Sequence, residues 1–219
     1  MTGETLTIDV VSDVVCPWCY LGEKRLEAAL AEETKPVSVR WRPYQLDPTI
    51  PEGGVDRAEY MAKKFGRDGR LKTIHDKLVR LGAEVGVAFA FDRIKRSPNT
   101  LDAHRLIRWA ASAGVQAEAV DRLFRAYFTQ GRDIGNRAVL IEIASECRLD
   151  ADIVEKLLAE GADAESVRRE VAEAQAIGVT GVPFFIFAGR LAVPGAQDAS
   201  LLARAMAEAW GVMKAEAAA

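Results

Sequence analysis

The stretch Val14-Val15-Cys16-Pro17-Trp18-Cys19-Tyr20 decides how the rest of the chain is read. It follows an apolar run at residues 6–11 with the β-branched character of a buried strand, and it opens a run of helix formers at 17–33 with Leu26 and Leu30 four apart on one face. Pro17 at the first helical position makes Cys16 the N-cap, because proline supplies a pre-set φ and gives up an amide hydrogen that the helix would not use. Free amides of the first turn and the positive end of the helix dipole then favour negative charge on the Cys16 sulfur, and the thiolate is the form that attacks disulfides. Cys19, one turn on, is within reach to close an intramolecular disulfide.

Outward from this unit, residues 37–41 read as a second strand. A connection of helix length separates it from the first, so the two are expected to lie parallel in one sheet. Prolines and glycines at 43–54 mark a loop. From 56 to 177 the pattern is helical throughout, with helices expected near 56–65, 68–85, 99–113, 116–130, 136–147, 150–160 and 163–177. Two interruptions stand out: 89–91 reads as extended, and Ser97-Pro98-Asn99-Thr100 offers an N-cap and an N1 proline to the next helix. Strand character returns at 182–187, followed by the turn Ala188-Gly189-Arg190 and a short strand at 191–193, a hairpin signal. Asp198 or Ser200 then caps a last helix running to about 212, with Leu201, Leu202, Ala205, Met206 and Ala209 on its apolar face. The order β-α-β, helical block, β-β-α describes an α/β domain, 1–55 and 178–219, split by an all-helical insertion at 56–177.

Composition narrows the function. A length of 219 residues with 49% hydrophobic content supplies a real core, and a formal net charge of −3 without a basic stripe argues against nucleic-acid binding. No run approaches a membrane span, and Asp9 and Asp13 interrupt the one candidate for an export signal, so the expectation is a cytoplasmic protein. Three cysteines are too few for a disulfide framework, and a close pair in a reducing compartment is read as catalytic or metal-binding. Zinc would need further ligands from Cys147, His75 and His104, which are isolated in sequence, so a redox dithiol is favoured and no metal is expected. Cys147 falls in register with Leu140 and Ile143 and reads as a packed core thiol.

The chain resembles the DsbA-like branch of the thioredoxin superfamily with a large helical insertion, including FrnE-like oxidoreductases. The resemblance is carried by Ser12 through Gly22, by Ser97-Pro98-Asn99-Thr100-Leu101-Asp102-Ala103-His104-Arg105, by Gly178-Val179-Thr180-Gly181-Val182-Pro183 and by Gly195-Ala196-Gln197, in the expected order along nearly the whole chain. It implies a thioredoxin-like fold, a cis Pro183 lying against the cysteine pair, and Val182 presenting backbone groups to an extended substrate. Two departures are visible. Trp18 stands between the cysteines where the best-known periplasmic members carry histidine, which implies a less oxidising disulfide. Val10 stands where thioredoxin-like strands often carry a buried acid.

Several residues keep two readings. Pro17 and Trp18, between the two thiols, are assigned with Val182, Pro183 and Asn99 to substrate binding; Trp18 is either a contact for substrate or a cover for the helix start. Asp13 is read as a turn or cap residue ahead of a base for Cys19, and His104 as a core or surface histidine ahead of a pocket group. Asn99 either lines the groove above the cysteines or belongs to the first turn of its helix. The leading function is a thiol-disulfide oxidoreductase, a cytosolic reductase or isomerase of protein or small-molecule disulfides served by a cellular reductant. Cys16 forms the mixed disulfide and Cys19 resolves it, with no cofactor beyond the redox-active pair and glutathione as a conceivable co-substrate. The alternative is a glutathione-dependent isomerase or kappa-class-like transferase, enzymes of similar fold that typically carry serine at the helix start. A chaperone-like binding groove is a third reading.

Overall fold

The computed structural model describes residues 4–217. Strand β1 (Leu6–Ser12) leads through helix α1 (Pro17–Ala31) to strand β2 (Val37–Pro43). A short strand β3 (Val55–Asp56) opens the insertion, followed by α2 (Arg57–Phe65) and α3 (Arg70–Glu84). After a 3-10 turn at Phe91–Arg93 come β4 (Arg96–Ser97), α4 (Leu101–Ser112), α5 (Gln116–Phe128), α6 (Arg137–Glu146), α7 (Ala151–Ala159) and α8 (Ala164–Ala176). The chain closes with β5 (Phe184–Phe187), β6 (Leu191–Pro194) and α9 (Ala199–Ala217). The expected domain limits at 1 and 219 lie outside the described residues.

The main sheet has the order β2-β1-β5-β6. β1 and β2 are parallel as expected, with Leu6 opposite Val37 and Ser12 opposite Pro43, while β5 joins β1 antiparallel and turns back into β6. Alternation along β1 sends Leu6, Ile8 and Val10 into one core with Leu26, Leu202 and Met206 from α1 and α9. Val11 on the other face packs with Tyr44, Ala174 and Val179 beside α8, so β1 is covered on both sides. β2 is an edge strand. Its exposed ladder is closed at Trp41 by the Gln116 side chain, whose Oε1 accepts from Trp41 N (3.0 Å) and whose Nε2 donates to Trp41 O (3.1 Å).

An aromatic cluster ties the insertion to the start of α1. Tyr20 stacks on Phe124 with ring centroids 5.0 Å apart, and Phe89 and Phe128 complete the group. Those contacts overturn two local expectations. Residues 89–91 are not an extended segment: Ala90 N donates to Phe128 O (2.8 Å), which fixes the chain against α5, and Phe91 starts a 3-10 turn. Pro98 is not the first helical residue either. Thr100 is the N-cap, and the Leu101 amide is satisfied by Asn99 Oδ1 at 2.9 Å. The two-residue ladder of β3 with β4 was not expected from the loop-like composition around it. The last helix is capped by Asp198, whose Oδ1 accepts from Leu201 N (2.8 Å), and runs on past 212 to Ala217.

Candidate active site

Cys16 is the N-cap of α1, in extended conformation with φ −93° and ψ 111°, and Pro17 follows at the first helical position. Its side chain makes no capping hydrogen bond, so the sulfur is left free while its carbonyl accepts the first helical amide from Cys19 at 3.0 Å. Only 4% of Cys16 is exposed, and Cys19 is wholly buried beneath it. Burial pushes the Cys19 thiol well above its ordinary value and the adjacent Cys16 sulfur adds to the rise, while the Ser12 hydroxyl and the Asp13 backbone N–H act in the opposite sense.

The strand that follows the insertion is brought directly onto this pair. The Val182-Pro183 peptide is cis, and the Val182 carbonyl lies 3.6 Å from Cys16 Sγ, as a partner for the thiol hydrogen. Pro183 O in turn accepts from Gly195 N at 2.8 Å, which links the loop to the residue after β6. The close approach depends on Gly22. A Cβ there would stand 2.9 Å from Pro183 Cγ and 3.2 Å from Phe185 Cζ, so α1 can cross the proline only at a residue without one.

Trp18 is half-buried against the core, with Lys77 Nζ of α3 5.5 Å from its ring. Asn99 sits apart from the thiols in its hydrogen bonding. Its Oδ1 accepts from Gln45 Nε2 (3.0 Å) and Leu101 N, and its Nδ2 donates to Ile50 O (2.6 Å), so the amide fastens the 43–50 loop to α4. Asp13 is 1% exposed and caps that same loop: Oδ2 accepts from Leu46 N at 2.8 Å, and Oδ1 is 3.4 Å from His104 Nε2. His104 is a core histidine. Its Nε2 lies 2.9 Å from the Tyr44 carbonyl, which can only accept, so Nε2 carries the hydrogen. Asp9 pairs with Arg40 on the surface at 3.1 Å, and Cys147 is buried at the end of α6, its thiol pushed up to about 11 by desolvation and the nearby Glu118.

Three residues that the sequence reading passed over belong to this neighbourhood. Ser12 ends β1 beside Cys19, with a buried Oγ that has no hydrogen-bond partner. It lines a cavity of about 420 Å³ between the β2 edge, α4 and α8, with Trp41, His104 and Trp109 among the other walls. Arg57 is 7% exposed and gives one hydrogen bond to Tyr127 Oη (3.0 Å), with no carboxylate within 4.0 Å among the described residues. It lines a small cavity of about 40 Å³ that it shares with Val15, Tyr60 and Ser97, whose Oγ is likewise buried and unpartnered. A lone arginine in a helix start carries no sequence signal for this. Gly22 did carry one, as a glycine inside an otherwise strong helix.

A family model described as a DSBA-like thioredoxin domain matches residues 7–207. The chain is similar to the probable DsbA oxidoreductase SCO1869 from Streptomyces coelicolor, with 32% identity, 94% of this chain and 90% of that one covered, and a TM-score of 0.86. It shares its fold with a 2-hydroxychromene-2-carboxylate isomerase (18% identity, coverage 92% and 95%, TM-score 0.70). It shares it also with the cytosolic disulfide reductase DsbM from Pseudomonas aeruginosa (22%, 96% and 98%, 0.62), a protein also solved with GSH.

Proposed function

The chain belongs to the DSBA-like thioredoxin domain family, whose chemistry is thiol-disulfide exchange, and on that premise we propose that it reduces or isomerises disulfides through Cys16 and Cys19 in the cytosol. The observation that carries the reading is the pairing of a half-free N-cap thiol with a buried second thiol under the cis Val182-Pro183 peptide. In the forward direction the Cys16 thiolate attacks a substrate disulfide, one substrate sulfur leaves with the electron pair, and a mixed disulfide forms. Cys19 then attacks Cys16 Sγ, the Cys16-Cys19 bond forms, and the second substrate sulfur leaves as thiolate. The substrate is reduced and the dithiol oxidised; a cellular reductant restores it. Pro17 and the outward part of Trp18 form one wall for the substrate, and the Val182 backbone pairs with its extended segment. Asn99 acts on the substrate only through the loop that it fastens.

A cytosolic setting is supported by the likeness in fold to the cytosolic disulfide reductase DsbM. In insulin reduction with dithiothreitol, Cys16→Ser is expected to abolish turnover, and Cys19→Ala to accumulate mixed disulfides. Wild-type turnover in Cys16→Ser would end this reading.

Glutathione as co-substrate has a specific observation in its favour. Arg57 is a buried guanidinium with no counter-charge among the described residues, beside Val15 and the unpartnered Ser97 hydroxyl, a setting that suits a peptide carboxylate. Arg57→Leu should then raise the concentration of glutathione needed to recycle the enzyme by about tenfold, with dithiothreitol recycling unchanged. The glutathione-dependent isomerase or transferase alternative requires instead that reduced glutathione supports isomerisation of an aromatic substrate without net thiol oxidation.

A further inference from the structure

The charge of this chain is unevenly placed. Residues 57–84, which form α2, α3 and the turn between them, hold eight lysines and arginines against four aspartates and glutamates, a surplus of four positive charges. The whole chain stands at −3, so everything outside this segment stands at −7. No basic run longer than Lys63-Lys64 marks the segment in the sequence, because the surplus is spread over two consecutive helices. Core packing does not account for it: Arg57, Leu78 and Gly82 are the segment's only buried residues. Ion pairs do not account for it either. Arg70 meets Asp68 at 2.8 Å and Lys72 meets Asp76 at 2.6 Å, but Arg57, Lys63, Lys64, Arg67, Lys77 and Arg80 have no carboxylate within 4.0 Å among the described residues, and all of these except Arg57 are exposed.

Two contacts set this basic surface beside the dithiol. Lys77 Nζ of α3 lies 5.5 Å from the centre of the Trp18 ring, and Trp18 stands between the two cysteines. Lys64 of α2 lines the same small cavity as Val15, the residue before Cys16. Leu46, 39% exposed, and Met61 border that cavity too and add apolar contact area. The carboxylates that share the cavity, Asp13 and Asp47, are engaged by Leu46 N and by Thr49.

We infer that α2 and α3 form a docking surface for an acidic polypeptide, so that the site selects disulfides flanked by aspartate and glutamate. A nucleic acid or a lipid headgroup has the same sign of charge, but a polypeptide is what brings a disulfide to Cys16. A positive face beside the reacting group attracts an anionic partner and orients it on approach, raising the rate of encounter by about tenfold or more at low salt, and the attraction fades as salt shortens the Debye length to a few Å. The exchange at Cys16 is the same for every substrate; what differs is how often the disulfide arrives. The inference rests on the redox function proposed above and names the substrates of that same site.

Three peptides of equal length test it, each with a central cysteine held as a mixed disulfide with mercaptoethanol and with Glu, Gln or Lys at the flanking positions. Pre-reduced protein consumes each in a single turnover: Cys16 attacks, Cys19 resolves, and the peptide thiol and mercaptoethanol are released as the Cys16-Cys19 disulfide forms. Rates are read by acid quench and chromatography and divided by the rate with dipyridyl disulfide, a neutral reagent that reports the thiol itself. At about 20 mM salt the Glu peptide is expected to react about tenfold faster than the Gln peptide and the Lys peptide slower than both, with all three within about twofold at about 0.5 M. Lys64→Gln with Lys77→Gln removes half of the surplus and should halve the logarithm of the Glu-to-Gln ratio, to about threefold. Lys156→Gln, exposed on α7, should leave the ratio as it is. Equal rates for the Glu and Gln peptides, a faster Lys peptide, a preference undiminished at high salt, or one undiminished in the double variant would overturn the docking surface. Failure of wild-type protein to react with dipyridyl disulfide would instead overturn the redox reading.

Discussion

Gly22→Ala pits two opposed terms against each other at the contact that builds the site. In an ordinary helix interior the exchange is stabilising by about 1 kcal/mol, because alanine restricts the unfolded chain and favours the helix. At Gly22 the new methyl would lie 2.9 Å from Pro183 Cγ and 3.2 Å from Phe185 Cζ. Phe185 is fully buried, and the Pro183 loop is held by its carbonyl to Gly195 N, so neither neighbour is free to swing away. Overpacking of that kind costs ~1–3 kcal/mol, so the net effect is a loss of up to ~2 kcal/mol. The strain is expected to be relieved by moving the proline loop outward, which takes the Val182 carbonyl away from Cys16 Sγ. Urea denaturation would measure the first effect, and insulin reduction alongside the rate of Cys16 alkylation the second. Turnover should fall by about tenfold or more while the alkylation rate changes little, since the helix start is untouched. A variant more stable by about 1 kcal/mol with wild-type turnover would refute the reasoning, because it would mean that the proline loop yields freely.

Three further outcomes follow from the packing around the site. His104→Ala leaves the Tyr44 carbonyl without its donor and Asp13 Oδ1 without its neighbour, at a cost of ~1–3 kcal/mol in chemical denaturation and with little change in the first thiol step. Gln116→Ala reopens the β2 edge at Trp41 by removing two hydrogen bonds; faster amide exchange at Trp41 and a loss of ~1–2 kcal/mol are expected. Glu23 is buried with an unpartnered Oε2, and desolvation holds its carboxyl well above the ordinary 4.5 even though Lys24 stands 3.8 Å away, already bonded to Glu27 and Asp121. A carboxyl raised on folding favours the fold below the unfolded value, and that contribution is lost as pH climbs from about 4.5 through the folded value. Glu23→Gln should therefore flatten the decline in stability above pH 4.5, measured by urea midpoints across the range, and a variant with the same slope as wild type would contradict the assignment.

What could be read from the sequence was what is decided locally. The N-cap position of Cys16 follows from Pro17, and the parallel pairing of β1 with β2 follows from a helix-length connection between two apolar runs. The helices of the insertion follow from their apolar spacing. Features fixed by contacts between distant segments were not legible. Phe91 turns because Ala90 is bonded to Phe128, and Pro98 loses the first helical position because Asn99 is spent on Gln45, Ile50 and Leu101. The direction of the Asp13 carboxylate depends on Leu46 N and His104, one of them 91 positions further along the chain. The cis state of Pro183 came from family resemblance and not from the residues themselves, since most prolines are trans.

The same burial that makes Cys19 slow to ionise also gives the site its order of events. A second thiol that ionised readily would attack any mixed disulfide at once, and isomerisation, which needs the protein to stay attached while substrate thiols rearrange, would be cut short. Burying Cys19 completely keeps it protonated at rest, whereas Cys16 retains a small exposed surface and a sulfur unencumbered by capping. The balance between reducing a disulfide and reshuffling it is therefore expected to follow Cys19: Cys19→Ala, which removes the resolving thiol, should lengthen the life of the mixed disulfide and shift the products of a scrambled substrate from reduced toward rearranged.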